Sequence, residues 1–286
     1  MGSATIRTAI LPVAGLGTRL LPATKTVPKE LLPVYDTPLL QFALQEAASI
    51  PGIERLVVVT HESKKALEQY FDHDPALLRK LRRQKKHALA NCLQQTGAAE
   101  GVETRFAYQD EARGLGHAVL CAARDVAEGP VAVILPDDLV LPTSCMAEMA
   151  QAYDPDRAGM MVAAMKVAPA EIGKYGAFDV LAQDGAVLTA RGIVEKPAAG
   201  TAPSLFAAVG RYILPPDIFD QLARTAPGHQ GEIQLTDAIS ALVPAHGLEG
   251  LRFSGQRFDC GTHEGLLAAG LWRRDDLLLP AAIAAQ

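Results

Sequence analysis

Residues 11–34 read LPVAGLGTRLLPATKTVPKELLPV, and no other stretch restricts the fold as strongly. The apolar run at 8–14 predicts a strand that runs into the turn Gly15-Leu16-Gly17-Thr18-Arg19. Glycines leaving a strand let backbone N–H groups approach a phosphate, because no Cβ intervenes. Pro22, Pro28 and Pro33 then forbid a long helix directly after the turn. The chain must instead cross the strand ends as a long loop bearing Arg19, Lys25 and Lys29. Long loops inside compact domains are usually functional, and open α/β sheets bind ligands at this edge. A dinucleotide fingerprint would need glycine where Leu20 stands, and no Walker A sequence occurs. The stretch points to a polyphosphate site and argues against a nicotinamide-dependent oxidoreductase.

Apolar runs at 55–60, 104–109 and 131–135 predict further buried strands. Helical periods lie between them at 39–50, 64–71, 77–94 and 117–126. Such alternation implies right-handed crossovers and a mainly parallel sheet covered on both faces. Later strands at 160–166, 178–181, 191–194 and 205–213 have short connections, so a mixed extension follows. Helices are expected at 216–222, 236–245 and 263–274. No repeat or Ser/Gly linker divides the 286 residues, and one Rossmann-like α/β domain over 1–286 is the expectation.

Hydrophobic residues at 49% and charged ones at 21% exclude a disordered chain. A net charge of -5 argues against a nucleic-acid binder, so phosphate must be met by a local basic site. Residues 77–86, LLRKLRRQKK, carry six basic side chains. The leucines at helical spacing make the outer face of an amphipathic helix the simpler reading. Four scattered cysteines without a C-x-x-C pair fit buried thiols in a reducing cytoplasm. No apolar run approaches bilayer length and none reads as a signal peptide, so no membrane association is expected.

Three further places bear candidate chemistry. Pro136-Asp137-Asp138 ends the 131–135 strand, where hard oxygen ligands suit Mg²⁺ bridged to phosphate. Helix capping is the alternative for one of the two aspartates. Glu195-Lys196 closes another strand, a pair that by itself reads as a surface ion pair. Asp259 precedes a glycine turn and a helix, where an N-cap is equally fitting. No histidine array and no G-x-S-x-G elbow is present, so covalent acyl transfer finds no support.

In order, Gly15–Arg19 with Pro28-Lys29-Glu30, then Gly114-Leu115-Gly116-His117-Ala118, Leu135–Asp138, Val194–Pro197, Val209–Tyr212 and Glu232–Asp237 form a series. This series resembles the sugar-nucleotide pyrophosphorylases, and in particular their bacterial uridylyl branch. The sister thymidylyl branch differs around the turn, where this chain has Pro12-Val13-Ala14-Gly15 and Lys29-Glu30. The resemblance implies UTP and glucose 1-phosphate as substrates, UDP-glucose and pyrophosphate as products, Mg²⁺ as cofactor and a homo-oligomer. It implies that Ala14, Gly15, Gly17, Thr18, Arg19 and Lys29 hold the triphosphate, with Gln109 and Gly114 reading uracil. Tyr175, Gly176, Glu195 and Gly210 would bind glucose, Lys196 its phosphate, and Asp137 and Asp259 the metal. Arg19, Lys29 and Lys196 would carry the catalysis. A dTTP-using relative and a non-catalytic sugar-nucleotide sensor are the alternatives.

Overall fold

A computed structural model of the chain describes residues 5–228 and 231–284. The first half lays down β1 (Thr8–Pro12), the ribbon β2 (Pro33–Val34) and β3 (Thr37–Pro38), α1 (Leu39–Ala48) and β4 (Arg55–Thr60). There follow α2 (Lys65–Tyr70), α3 (Pro75–Arg83), α4 (His87–Gln94), β5 (Glu103–Tyr108), α5 (Leu115–Cys121) and β6 (Val131–Ile134). The second half adds β7 (Asp138–Leu141), α6 (Cys145–Ala152), β8 (Met161–Lys166), β9 (Gly176–Asp184), β10 (Val187–Glu195) and β11 (Phe206–Leu214). It ends with α7 (Ile218–Arg224), α8 (Leu235–His246), β12 (Glu249–Arg252), β13 (Gln256–Asp259) and α9 (His263–Ala284).

Nine strands form one sheet in the order β5-β4-β1-β6-β11-β8-β12-β10-β9. The block β5-β4-β1-β6 is parallel throughout, as helical crossovers require. Beyond it the parallel character expected for most of the sheet is limited to β8 with β12. β11 runs antiparallel to β6 and β8, and β10 to β9 and β12. The β9–β10 connection is a hairpin turn at Gly185, far too short for a crossover. The sheet is therefore mixed, its two characters divided between the two halves of the chain. Apolar cores lie on both its faces, one around Ile10, Val133 and Leu214, the other around Leu11, Ile134 and Ile213.

After β1 the proline-studded loop makes only single helical turns at Thr18–Leu20, Ala23–Lys25 and Lys29–Leu31. The helix expected over 77–94 is instead two, α3 and α4. Lys85 adopts φ 58°, while Lys85 N–H donates to Arg82 O and Lys86 N–H to Leu81 O, each at 3.0 Å. That pairing is a Schellman stop with lysine where glycine is usual, which is why composition concealed it. No residue of α3 is buried, so its leucine stripe is not the core face that the spacing implied.

The ribbon β7–β13, which no alternation predicted, joins two segments far apart in the chain. It pairs antiparallel with Asp138 opposite Asp259.

Candidate active site

The parallel strands β1, β4, β5 and β6 all end at one edge of the sheet, where the glycine loop lies. Gly17 has φ 66°, and a Cβ there would meet Lys29 Cβ at 3.3 Å. Glycine at this position lets the turn fold back over Lys29. The lysine Nζ then donates to Asp137 Oδ2 at 2.6 Å. Arg19 spans the two aspartates that sequence placed far apart, with Nη2 3.9 Å from Asp137 Oδ2 and Nη1 3.5 Å from Asp259 Oδ2. Its side chain is 60% exposed, so the guanidinium stands open to a ligand. A Cβ at Gly261 would crowd the Arg19 guanidinium and lie 3.1 Å from Asp137 Oδ2.

Burial acts to lower the Lys29 pKa, but Asp137 and Glu30 outweigh it and hold the ammonium above its ordinary value. Burial likewise acts to raise Asp137, yet Lys29 and then Arg19 pull its carboxyl below the usual range. Both groups are held charged.

Neither aspartate of the 136–138 turn caps a helix, since a strand follows it. At the head of α9 the cap is Thr262, whose Oγ1 accepts from Gly265 N–H at 3.1 Å. Asp259 Oδ1 accepts only the local Gly261 N–H at 3.1 Å, leaving Oδ2 toward Arg19. The capping alternatives therefore fail for Asp137 and Asp138, and for Asp259 reduce to a turn.

Asp138, unlike its neighbour, is tied into the frame. Its Oδ2 accepts from Gly210 N–H at 2.8 Å, and its Oδ1 pairs with the Arg257 fork. A Cβ at 210 would come within 2.7 Å of that carboxylate, so only glycine fits there. Arg257 was not a candidate from sequence, yet it joins two clusters. Its Nη1 donates to Tyr175 Oη at 3.0 Å, its guanidinium lies 5.3 Å from that ring's centre, and Nη2 is 4.0 Å from Asp259 Oδ2. Burial acts against its charge, but Asp138 raises its pKa well above normal. A charged fork between aromatic ring and carboxylates was visible only in three dimensions.

Around Tyr175 lies the third group. Lys196 N–H donates to Tyr175 O at 3.1 Å, and Lys196 is held at φ 41°, an unusual region for a non-glycine residue. Its Nζ is 3.7 Å from Glu195 Oε1, while Thr236 Oγ1 donates to Glu195 Oε2 at 3.0 Å. Gly176 packs tightly here, as a Cβ would meet Ile193 at 2.7 Å and Glu195 Oε2 at 3.4 Å. Thr236 lies within the Glu232–Asp237 landmark but has no role readable there, because a lone hydroxyl in a helix carries no spacing signal.

Gln109 follows β5 and is 7% exposed. A glutamine amide has both a donor and an acceptor to offer a base. Its Nε2 instead donates to Gly114 O at 3.1 Å and pairs with His117 Nδ1 at 3.0 Å. Gly114 stands at φ 95°, where a Cβ would collide with Glu232 and with Ile233 O. Ala14 is nearly buried and Gly15 faces open space, while Thr18 lines a 420 Å³ cleft with Leu16, Lys25, Ser63 and Lys64.

Two buried ion pairs brace these loops, and sequence pointed to neither. Lys64 Nζ donates to Glu30 Oε1 and Oε2 at 3.2 and 3.0 Å and to Val13 O at 2.6 Å. Arg211, 1% exposed, pairs with Glu46 at 2.8 Å and donates to Leu135 O at 2.8 Å and Gly210 O at 2.9 Å.

Residues 8–272 match the family model described as nucleotidyl transferase. A UTP–glucose-1-phosphate uridylyltransferase of Bacillus subtilis is 39% identical over 267 residues, covering 93% of this chain and 90% of its own. A solved structure of a UTP-bound UGPase from Acinetobacter baumannii gives a TM-score of 0.86 at 40% identity, covering 95% of this chain and 94% of its own. A UDP-glucose pyrophosphorylase solved with UDP-glucose gives 0.83 at 36%, covering 95% and 100%. Among the described residues no helix is long and apolar enough to cross a membrane.

Proposed function

The chain belongs to the nucleotidyl transferase family, among the UTP–glucose-1-phosphate uridylyltransferases, and on that premise we propose how its residues divide the reaction. A phosphate oxygen of glucose 1-phosphate attacks the α-phosphorus of UTP. The bond from that phosphorus to the bridging oxygen breaks in line, and pyrophosphate leaves with the electron pair. The attacking oxygen is already anionic, so no general base is needed and catalysis is positioning with charge neutralisation. A site rich in fixed cations and lacking an activated nucleophile suits that demand.

The observation that carries the assignment is the meeting of Asp137 and Asp259 around Arg19, beside Lys29. Ala14, Gly15, Gly17 and Thr18 offer backbone and turn to the triphosphate, with Arg19 and Lys29 neutralising it. Gln109 and Gly114 face the uracil. Tyr175, Gly176, Glu195 and Gly210 receive the sugar, and Lys196 its phosphate. Arg257 positions Tyr175 against the carboxylates. Among the described residues no three His, Cys, Asp or Glu side chains make a self-contained metal cage. Two carboxylates fit Mg²⁺, which binds through one or two carboxylates and takes its other ligands from water and phosphate. Asp137 and Asp259 would hold such an ion, which would supply charge neutralisation on the phosphates.

The four cysteines are unpaired, which suits a reducing cytoplasm. We read residues 1–286 as one catalytic unit. The exposed leucines 267, 271 and 278 along α9 support assembly into a homo-oligomer, which sedimentation would test.

Pyrophosphate release measured with UTP, dTTP and CTP against glucose 1-phosphate tests the reading. Release with UTP in clear preference is expected. Preference for dTTP would move the chain to the sister activity, and binding of UDP-glucose without any release would make it a sensor.

A further inference from the structure

We infer that His117 strengthens base discrimination by holding, together with Gly114 O, the Gln109 amide in one orientation, an inference that rests on the proposed role of Gln109 at the base.

The lock follows from which atoms can donate. Gly114 O is an acceptor only, so the amide atom 3.1 Å from it must be Nε2. The second N–H of the same Nε2 is directed at His117 Nδ1, 3.0 Å away. Nδ1 must then accept, and a neutral imidazole with an accepting Nδ1 carries its proton on Nε2. That nitrogen lies 4.0 Å from Cys121 Sγ, one helical turn along α5. Burial, and then the nearby Arg113, keep the imidazole pKa below its ordinary value, which favours the neutral ring.

Both amide protons are thus engaged inside the protein. Oε1 has no hydrogen-bond partner among the described residues, and it is not an enclosed orphan. Gln109 therefore presents an acceptor and no donor. Uracil and thymine carry N3–H, which such an atom accepts. Cytosine carries a lone pair at N3, which the same atom repels. An amide held by neither acceptor could turn and offer its N–H instead, so Gln109 alone does not discriminate. His117 adds to the hold of Gly114 O by occupying the second proton, so that turning costs two hydrogen bonds and not one. The lock separates UTP from CTP and leaves the choice between UTP and dTTP untouched.

Two substitutions and one spectrum test this. In His117→Phe one of the two acceptors is gone and Gly114 O alone opposes the turn. The ratio of kcat/KM for UTP over CTP should fall about tenfold. In His117→Asn, Oδ1 stands near the position of Nδ1, and the ratio should stay within about twofold of the parent. A ratio unchanged in His117→Phe, or equally lowered in both variants, overturns the proposal. Gln109→Ala separates this from failure of the base assignment. If that variant leaves the ratio unchanged, Gln109 is not at the base. If it lowers the ratio while His117→Phe does not, only the lock is wrong. A ¹⁵N NMR spectrum of the unmodified protein needs no variant to fold: it should show His117 protonated on Nε2, and a proton on Nδ1 instead overturns the lock.

Discussion

Lys29 and Glu30 adjoin in the chain and belong to two unlike ion pairs. Glu30, 1% exposed, gives both carboxylate oxygens to Lys64, whose third proton goes to Val13 O. Every donor of that ammonium is satisfied. Lys29 gives one proton to Asp137 and keeps two with no partner among the described residues. The pKa directions differ accordingly. Burial lifts Glu30 and lowers Lys64, so dehydration outweighs their attraction. In the other pair attraction wins, lifting Lys29 and lowering Asp137. A closed pair can only hold the loop, whereas an open one has charge and donors left for a phosphate. One 3₁₀ turn, Lys29–Leu31, thus carries a brace beside the lysine proposed to meet the triphosphate.

If the contrast is real, breaking the closed pair costs stability first. Glu30→Gln strands a buried ammonium and should cost about 3–5 kcal/mol in urea unfolding. A loss below about 1 kcal/mol would show that the brace carries little. Breaking the open cluster should instead cost turnover. Asp137→Asn is expected to lower kcat about 100-fold or more and to raise the Mg²⁺ requirement. Its unfolding midpoint should move far less than that of Glu30→Gln. Full activity at ordinary Mg²⁺ would make Asp137 structural.

Next in size is the division between the two lysines proposed to meet different substrates. Losing a charge-assisted hydrogen bond costs about 1.5–3 kcal/mol, or roughly 10- to 150-fold. For Lys29→Ala that loss should fall mainly on UTP use, and for Lys196→Ala mainly on glucose 1-phosphate use. Equal effects on both substrates in both variants would dissolve the assignment.

Much of this contrast can be traced back to where sequence has a voice. The parallel strands were legible because each is a short apolar run between turn signals, and β4 lies where expected, Arg55–Thr60. The glycine loop and its cations were legible because prolines exclude the alternatives. β7 and β13 were not, since four-residue strands with an aspartate at one end lack a period to read. With them went the reason Asp137 and Asp259 meet. Arg257 and Lys64 were equally silent, because their roles consist of partners such as Asp138 and Glu30, remote in the chain. The Gln109 amide was identified as a candidate, but its internal engagement depends on Gly114 O and the tautomer of His117. Sequence named the groups; tertiary pairing decided which atoms remain free.

The smallest effect expected is also the sharpest test of the brace. Replacing both partners, Glu30→Met with Lys64→Met, leaves no stranded charge, and apolar substitution of a whole buried pair is often neutral or stabilising. Only Val13 O loses its donor, so the double variant should lie within about 1 kcal/mol of the parent, unlike either single change. Its pH profile should also flatten. Because the folded carboxyl of Glu30 is raised, the folded state holds a proton that the unfolded chain has released above its ordinary 4.5. Stability from that group is therefore complete below 4.5 and declines as pH rises through the raised value. Lys64 acts in the opposite sense. Its lowered pKa means the unfolded chain retains a proton that the folded state gives up, so stability climbs from the lowered value toward 10.5. Urea titrations across that span should show both slopes in the parent and neither in the double variant. A double variant as unstable as Glu30→Gln would mean that the contacts of these two side chains with the Val13 loop, and not their charges, do the bracing.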